Sequence, residues 1–329
     1  MEELIRLEGV KKFYEVRKGL LSSQELRALD DVSLTIQRRE TVSVVGESGC
    51  GKSTLGRISV RLLEPTDGRV FFKGEDITRI PESALRRLSF RKKLQIIFQD
   101  PYSSINPFMK IGEVLAEPLE IHGFPAREMK RRILSALEDV KLFPPEEFVE
   151  RYPHELSGGQ RQRVNIARAL ILDPEYLVAD EPVSMIDASS RAEILLLLKQ
   201  IRDARDMGIL YITHDIATAR YVSDRIAVMY LGELVEIGPT TDVLRRPIHP
   251  YTSLLLGSVP EPTPYGRKKK RVVIKGEPPS VLNPPTGCKF HTRCPLAIEK
   301  CKYARPQLTE YFPNHSAACH RAEEIILGN

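Results

Sequence analysis

Residues 44–55 read VVGESGCGKSTL, an apolar run that breaks into glycines and then a lysine and two hydroxyls. The pattern G-x-x-x-x-G-K-[ST] falls on Gly46, Gly51, Lys52 and Ser53. Glycines let the backbone turn so that successive N–H groups face phosphate oxygens, and a helix starting at the lysine adds the positive end of its dipole. Lys52 would neutralise the β and γ phosphates, and the Ser53 hydroxyl is placed to ligate Mg²⁺. The context is the one such a loop needs: TVSVV reads as a buried strand before it, and KSTLGRISVRLL has helical spacing after it. Cys50, inside the loop, stands where the side chain matters little.

That loop commits the chain to an α/β fold, and the remaining segments agree. Residues 4–10 and 32–45 read as strands, GRVFFKGEDI (68–77) as strands around a turn, and LQIIFQ (94–99), EYLVAD (175–180) and GILYITH (208–214) as buried strands. QRQRVNIARALI (160–171) and RAEILLLLKQIRDARD (191–206) have helical periodicity, and 106–150 is helical in pattern, broken by Pro118, Pro125 and Pro144–Pro145. Strands alternating with helices predict a mainly parallel sheet covered on both faces. Prolines crowd 239–285, which places a boundary near 238.

Composition narrows the setting. Charged residues at 28% beside 42% hydrophobic ones fit a soluble globular protein, and runs such as ILLLL (194–198) are far short of the ~20 residues a membrane span needs. The start MEELIRLEGV lacks a basic-then-apolar signal layout, so a cytoplasmic chain is expected. The net charge of +5 includes the run GRKKKR (266–271). With no aromatics interleaved, the run reads as a solvated linker rather than a nucleic-acid patch.

A nucleotide loop needs a metal partner and a base. YLVADEP supplies both: the strand delivers Asp180 to hold Mg²⁺ through water, and Glu181 next to it could orient or deprotonate the attacking water. In LSGGQRQRVNIARAL (156–170), Ser157, Gly158 and Gly159 open a long helix and make a second anion cradle. The full string resembles the signature of ATP-binding cassette (ABC) ATPases, whose consensus LSGGQ it matches letter for letter.

The resemblance implies a P-loop (RecA-like) ABC core with a β subdomain (1–98 and 166–237), a helical signature subdomain (99–165) and a C-terminal extension (238–329). It implies that Gln99, in IIFQDP, is the Q-loop glutamine reaching metal and water; His214 is the switch histidine on the γ phosphate; and Asp187 ends a D-loop, SMID. Tyr14 falls where the family stacks an aromatic on adenine, with Phe13 its rival. ATP contacts are then expected along Gly46, Ser48, Gly49, Gly51, Lys52, Ser53 and Thr54. Ser157, Gly158, Gly159, Gln160 and Asp187 would act in trans on ATP held by a partner chain, with Mg²⁺ on Ser53, Gln99 and Asp180. Catalysis would fall to Glu181, Gln99 and His214.

HPYTSLLLGSVPEP (249–262) and the segment after it resemble the extension of oligopeptide/dipeptide importer ATPases. There Cys288, Cys294, Cys301 and Cys319 run C-x5-C-x6-C-x17-C. Clustered thiolates in a reducing compartment argue for metal rather than disulfides. Ligand type allows a 4Fe–4S cluster or tetrahedral zinc. Paired C-x-x-C knuckles are missing and the resemblance favours iron–sulfur; His291, His315 and His320 could serve a zinc site and otherwise read as surface histidines. The implied role is the ATPase of an importer on the cytoplasmic face of the membrane. It would pair with a similar, non-identical ATPase, two permeases and an extracellular binding protein, and bind no nucleic acid. SMID in place of the commoner SALD leaves oligosaccharides beside peptides as cargo. A cassette acting on DNA or ribosomes is opposed by the lack of coiled-coil insertions or a second cassette, and a non-hydrolysing regulatory cassette by Glu181 and His214.

Overall fold

The computed structural model describes residues 2–17, 23–258 and 279–328. In chain order its strands are β1 (Glu3–Arg17), β2 (Ser23–Gln37), β3 (Thr41–Val45), β4 (Asp67–Phe72), β5 (Glu75–Asp76) and β6 (Leu94–Ile97). They continue with β7 (Tyr176–Asp180), β8 (Gly208–Thr213), β9 (Arg225–Tyr230), β10 (Glu233–Pro239), β11 (Thr309–Phe312) and β12 (His315–Ala317). The chain divides into two compact units: Met1–Leu4, Ile36–Glu40 and Arg79–Leu210 form one, and Ile5–Thr35, Thr41–Thr78 and Tyr211–Asn329 the other.

In the first unit β6 and β7 run parallel, from Leu94 opposite Tyr176 to Ile97 opposite Ala179. Every residue of β7 is buried, as its unbroken apolar run requires. Helices Ile111–Ile121, Ala126–Asp139, Pro145–Glu150 and Gly158–Leu170 pack on one another. The expected break at Pro118 does not occur, and the first helix runs through it to Ile121. A proline removes one N–H bond to the carbonyl four residues back. Here Ile111, Val114 and Leu115 before it and Leu119 after it are all buried, and that shared apolar face keeps the helix continuous.

In the second unit β1 pairs antiparallel with β4, β4 with β5, and β2 lies on the other side of β1. β1 and β2 extend well beyond the strands expected from the sequence, because sheet pairing carries their polar, partly exposed ends. A second sheet in this unit has the order β11-β12-β10-β9-β3. β3 runs parallel to β9, with Val42 opposite Arg225 and Val45 opposite Val228. β9 turns back into β10 through Leu231 and Gly232, both at positive φ (44° and 82°), the backbone that a tight two-residue hairpin needs. β12 then pairs on β10, and β11 on β12.

The segment from Cys288 to Cys294 is anchored in this unit's core. Phe290 is buried between Tyr230 and Tyr251, its ring centroid 5.2 Å from each. The buried Lys289 ammonium bridges Asp30 at 3.3 Å and Glu233 at 3.0 Å. Burial pushes the Glu233 carboxyl up, against the pull of Lys289 and Arg305. His315 is no surface histidine: it is fully buried and its Nε2 lies 2.8 Å from Glu236, which is equally buried. Glu236 also accepts the N–H groups of Ile248 and His249, both at 2.9 Å. The basic run 266–271 lies outside the described residues.

Candidate functional site

The phosphate loop leaves β3 in the second unit, and its glycines are there for stated reasons. At Gly46 a Cβ would collide with the Met229 carbonyl oxygen and the Cys50 sulfur, and at Gly51 (φ 104°) with the Ala28 carbonyl oxygen. Gly49 (φ 79°) needs its conformation but has open space around it. Cys50 is buried beneath Gly46, so its side chain matters more than its motif position suggests. Lys52 is buried, and its ammonium donates to the carbonyls of Gly46 (2.8 Å) and Glu47 (3.0 Å), closing the loop on itself. The helix Lys52–Ser59 starts from Gly51 with no side-chain cap. Its first-turn N–H groups therefore have no capping side chain competing for them, the arrangement an anion needs. Ser48 and Gly49 are exposed, and Ser53 and Thr54 partly so.

In the first unit β7 ends at the buried Asp180, and Glu181 follows at φ 46°. A left-handed glutamate is uncommon and is the kind of local strain found at working sites. Gln99 Nε2 donates to Glu181 Oε2 at 3.0 Å, which brings together two residues that the sequence places in one site. Ser157 caps the signature helix: its Oγ accepts the Gln160 N–H at 3.2 Å and Gln160 Oε1 accepts the Ser157 N–H at 3.0 Å, a reciprocal capping box. Around Gly158 a Cβ would meet nothing nearer than 3.8 Å, whereas at Gly159 it would strike Ser190. Gly158 thus leaves the helix start open, while Gly159 permits close packing. Asp187 caps the next helix, accepting the Ser190 N–H at 2.9 Å and the Ser189 hydroxyl. Those bonds, the Ser189 hydroxyl foremost, hold its carboxyl well below the usual range.

Two further expected residues belong to the second unit. His214 follows β8 and is exposed. Tyr14 lies on β1, a little over a third exposed, with the Lys12 ammonium 5.2 Å from its ring centroid. Phe13 lies under the Arg27 guanidinium at 5.2 Å. For Mg²⁺ the expected ligands Ser53, Gln99 and Asp180 all offer oxygen, the hard donor this ion prefers.

The four clustered cysteines are free thiols. Burial pushes Cys288 up to about 12 and Cys319 up to about 11, and Cys294 also rises; in each case neighbouring cysteines add to the effect. Among the described residues, however, no three His, Cys, Asp or Glu side chains stand as a metal-holding group. The donor type fits a cluster, and the arrangement does not. His291, His315 and His320 are engaged elsewhere, with the Cys288 carbonyl, Glu236 and the Ala304 carbonyl.

Comparison with known proteins decides what this set of residues belongs to. The ABC transporter family matches residues 29–184, and the family described as oligopeptide/dipeptide transporter, C-terminal region, matches 235–301. The chain is 45% identical to the oligopeptide transport ATP-binding protein AppF of Bacillus subtilis, over 97% of each chain. It is also 45% identical to the dipeptide transport ATP-binding protein DppF of Haemophilus influenzae, over 96% of each. The chain belongs to the ABC transporter ATP-binding proteins of the oligopeptide/dipeptide type. Among solved structures, the dimeric bacterial ABC transporter cassette MJ0796 matches with a TM-score of 0.64 at 32% identity, covering 72% of this chain and 99% of that one. The cassette cbiO1 of Clostridium perfringens matches with a TM-score of 0.63 at 26% identity, covering 74% of this chain and 91% of that one. The expected ABC ATPase fold is thereby met. Among the described residues no helix is long and apolar enough to cross a membrane.

One feature of this ABC site escapes the motifs altogether. Arg293 forks onto the Glu47 carboxylate of the phosphate loop, Nη1 to Oε2 at 2.8 Å and Nη2 to Oε1 at 3.0 Å. The two residues are 246 apart in sequence.

Proposed function

We propose that this chain is the ATP-hydrolysing subunit of an importer of dipeptides or oligopeptides. Support comes from relatives named for that transport along nearly the whole chain and, within single units, from the closed phosphate loop and the Gln99–Glu181 hydrogen bond. The observation that carries hydrolysis, rather than binding alone, is Glu181 held by Gln99 at the end of the strand that delivers Asp180.

Lys52 and the uncapped helix start bind the triphosphate, with Ser48, Gly49, Ser53 and Thr54 along the loop, and Tyr14 stacks on adenine. Ser53, Gln99 and, through water, Asp180 would hold Mg²⁺, which would supply charge neutralisation at the phosphates. Glu181 orients the attacking water and accepts its proton; Gln99 fixes the carboxylate that does so, and His214 contacts the γ phosphate. Ser157, Gly158, Gly159, Gln160 and Asp187 close over ATP bound by a second, similar ATPase, so turnover requires a pair. The segment 99–165 faces two permeases at the cytoplasmic side of the membrane, and an extracellular binding protein delivers the peptide.

The four tail cysteines offer the donor type of an iron–sulfur site, with zinc as the alternative, and no step of this reading runs through such a group. Its support is the donor type alone. Iron and acid-labile sulfide at about four each per chain in anaerobically purified protein is the expected result. A metal-free chain of full stability removes the cluster from this reading.

The test of the main reading is peptide uptake by the full complex, reconstituted in vesicles, together with phosphate release. Uptake driven by ATP and abolished by Glu181→Gln is expected. Transport of β-glucosides in place of peptides overturns the cargo, and peptide-coupled transport without ATP hydrolysis overturns the role.

A further inference from the structure

The phosphate loop carries one carboxylate, Glu47, directly after Gly46, in a site whose ligand is polyanionic. All the polar groups of Glu47 are engaged. Its N–H donates to the Tyr251 hydroxyl at 2.9 Å, its carbonyl accepts from Lys52 Nζ at 3.0 Å, and both carboxylate oxygens accept from Arg293. A bidentate guanidinium–carboxylate fork is among the stronger and most directional polar contacts in proteins. Arg293 is 6% exposed and also reaches the Tyr230 hydroxyl at 3.3 Å. It is presented by the segment that Phe290 and Lys289 pin into the core, and Lys289 is already committed to Asp30 and Glu233. No ordinary function of the loop motif calls for this arginine.

We infer that Arg293 is a positioning residue for the phosphate loop: it holds the Glu47 carboxylate turned away from the triphosphate and cancels its charge. The inference rests on the reading of the loop as an ATP site. Without Arg293, the partly exposed carboxylate is an unpaired charge beside the incoming phosphates, and it repels them. The rest of the loop, including Lys52, is unchanged. ATP affinity therefore falls through Glu47, and neutralising Glu47 restores it. An arginine that served folding alone gives a different pattern, in which removing Glu47 brings nothing back.

The test is equilibrium binding of Mg·ATP to the full chain, with thermal melting measured in parallel without nucleotide. Arg293→Ala is expected to raise the Kd about tenfold, the scale on which charged hydrogen bonds act. Glu47→Gln alone stays within about threefold of the parent, and the double variant Glu47→Gln/Arg293→Ala returns to that same range. An Arg293→Ala chain that binds like the parent overturns the inference, as does a double variant as weak as Arg293→Ala. Should Arg293→Ala be recovered insoluble, Arg293→Gln takes its place in the same comparison, with the same two overturning results. A parent chain that itself fails to bind Mg·ATP sinks the ATP reading. A parent that binds, beside variants that bind equally well, sinks this inference alone.

Discussion

Gln99 and Glu181 stand 82 residues apart and meet through one hydrogen bond, Nε2 to Oε2 at 3.0 Å. The donor is an uncharged amide, so it orients the carboxylate without setting a charge beside it. The Glu181 backbone is left-handed, φ 46°, directly after the end of β7. Glu181→Gln keeps an oxygen for Gln99 to bond and loses only basicity. Phosphate release by the assembled complex is expected to fall by about 10²–10⁴-fold, with ATP affinity within about threefold of the parent by equilibrium binding. Unchanged turnover removes Glu181 from the base role.

The phosphate loop distinguishes two glycines. Gly49→Ala meets open space and incurs only the left-handed backbone cost, about 1–2 kcal/mol. Gly51→Ala adds a collision with the Ala28 carbonyl and is expected to cost more than about 3 kcal/mol, since backbone cannot yield as a side chain can. Urea unfolding of the two variants should separate them in that order, and only the Gly51 variant should lose its ATP-induced rise in melting temperature.

Ser157 caps its helix, and the proposed function gives it a second, separable duty. As a helix cap its replacement by alanine should lower stability by about 1 kcal/mol. As part of the cradle acting on a partner's nucleotide, it should leave ATP binding to the isolated chain unaltered while hydrolysis by the complex collapses. A Ser157→Ala complex with parental turnover contradicts the second duty.

His249 is fully buried, its Nδ1 accepts the Tyr251 N–H at 3.1 Å, and burial pushes its pKa down to about 4. In the unfolded chain the ordinary value is about 6.5. Between those values the unfolded state binds the proton and the native state does not, so stability rises with pH across this window and is lost as pH falls from about 6.5 toward 4. The full contribution is on the order of 3 kcal/mol. Denaturant unfolding at pH 7 and pH 4.5 should show His249→Gln with a flatter acid limb than the parent; identical slopes refute the assignment.

Much of this was open to a reader of the letters alone. The fully buried strands β7 and β8 announce themselves as apolar runs, β6 does so although its two central residues are only partly buried, and the phosphate loop and signature announce themselves by their spacing. What stayed hidden is non-local. β11 and β12 are four and three residues long and have no periodicity of their own; they are strands because β10 offers them an edge. His315 reads as a surface residue until Glu236 is found 79 positions away. Pro118 signals a break that packing on both sides overrules, and nothing near Glu47 in sequence points to Arg293.

The hairpin of β11 and β12 has a bearing on how the chain can be handled. β10 is buried along six of its seven residues, and β12 occupies its outer margin, with Glu236 opposite Ala317 and Ile237 opposite Ser316. A chain cut after residue 258 would bare that ribbon of unsatisfied amides and carbonyls, the template by which strands of separate molecules zip together. The tail thus serves as a gasket, and shortened versions made to simplify the cassette should clump in the tube before their chemistry can be asked about.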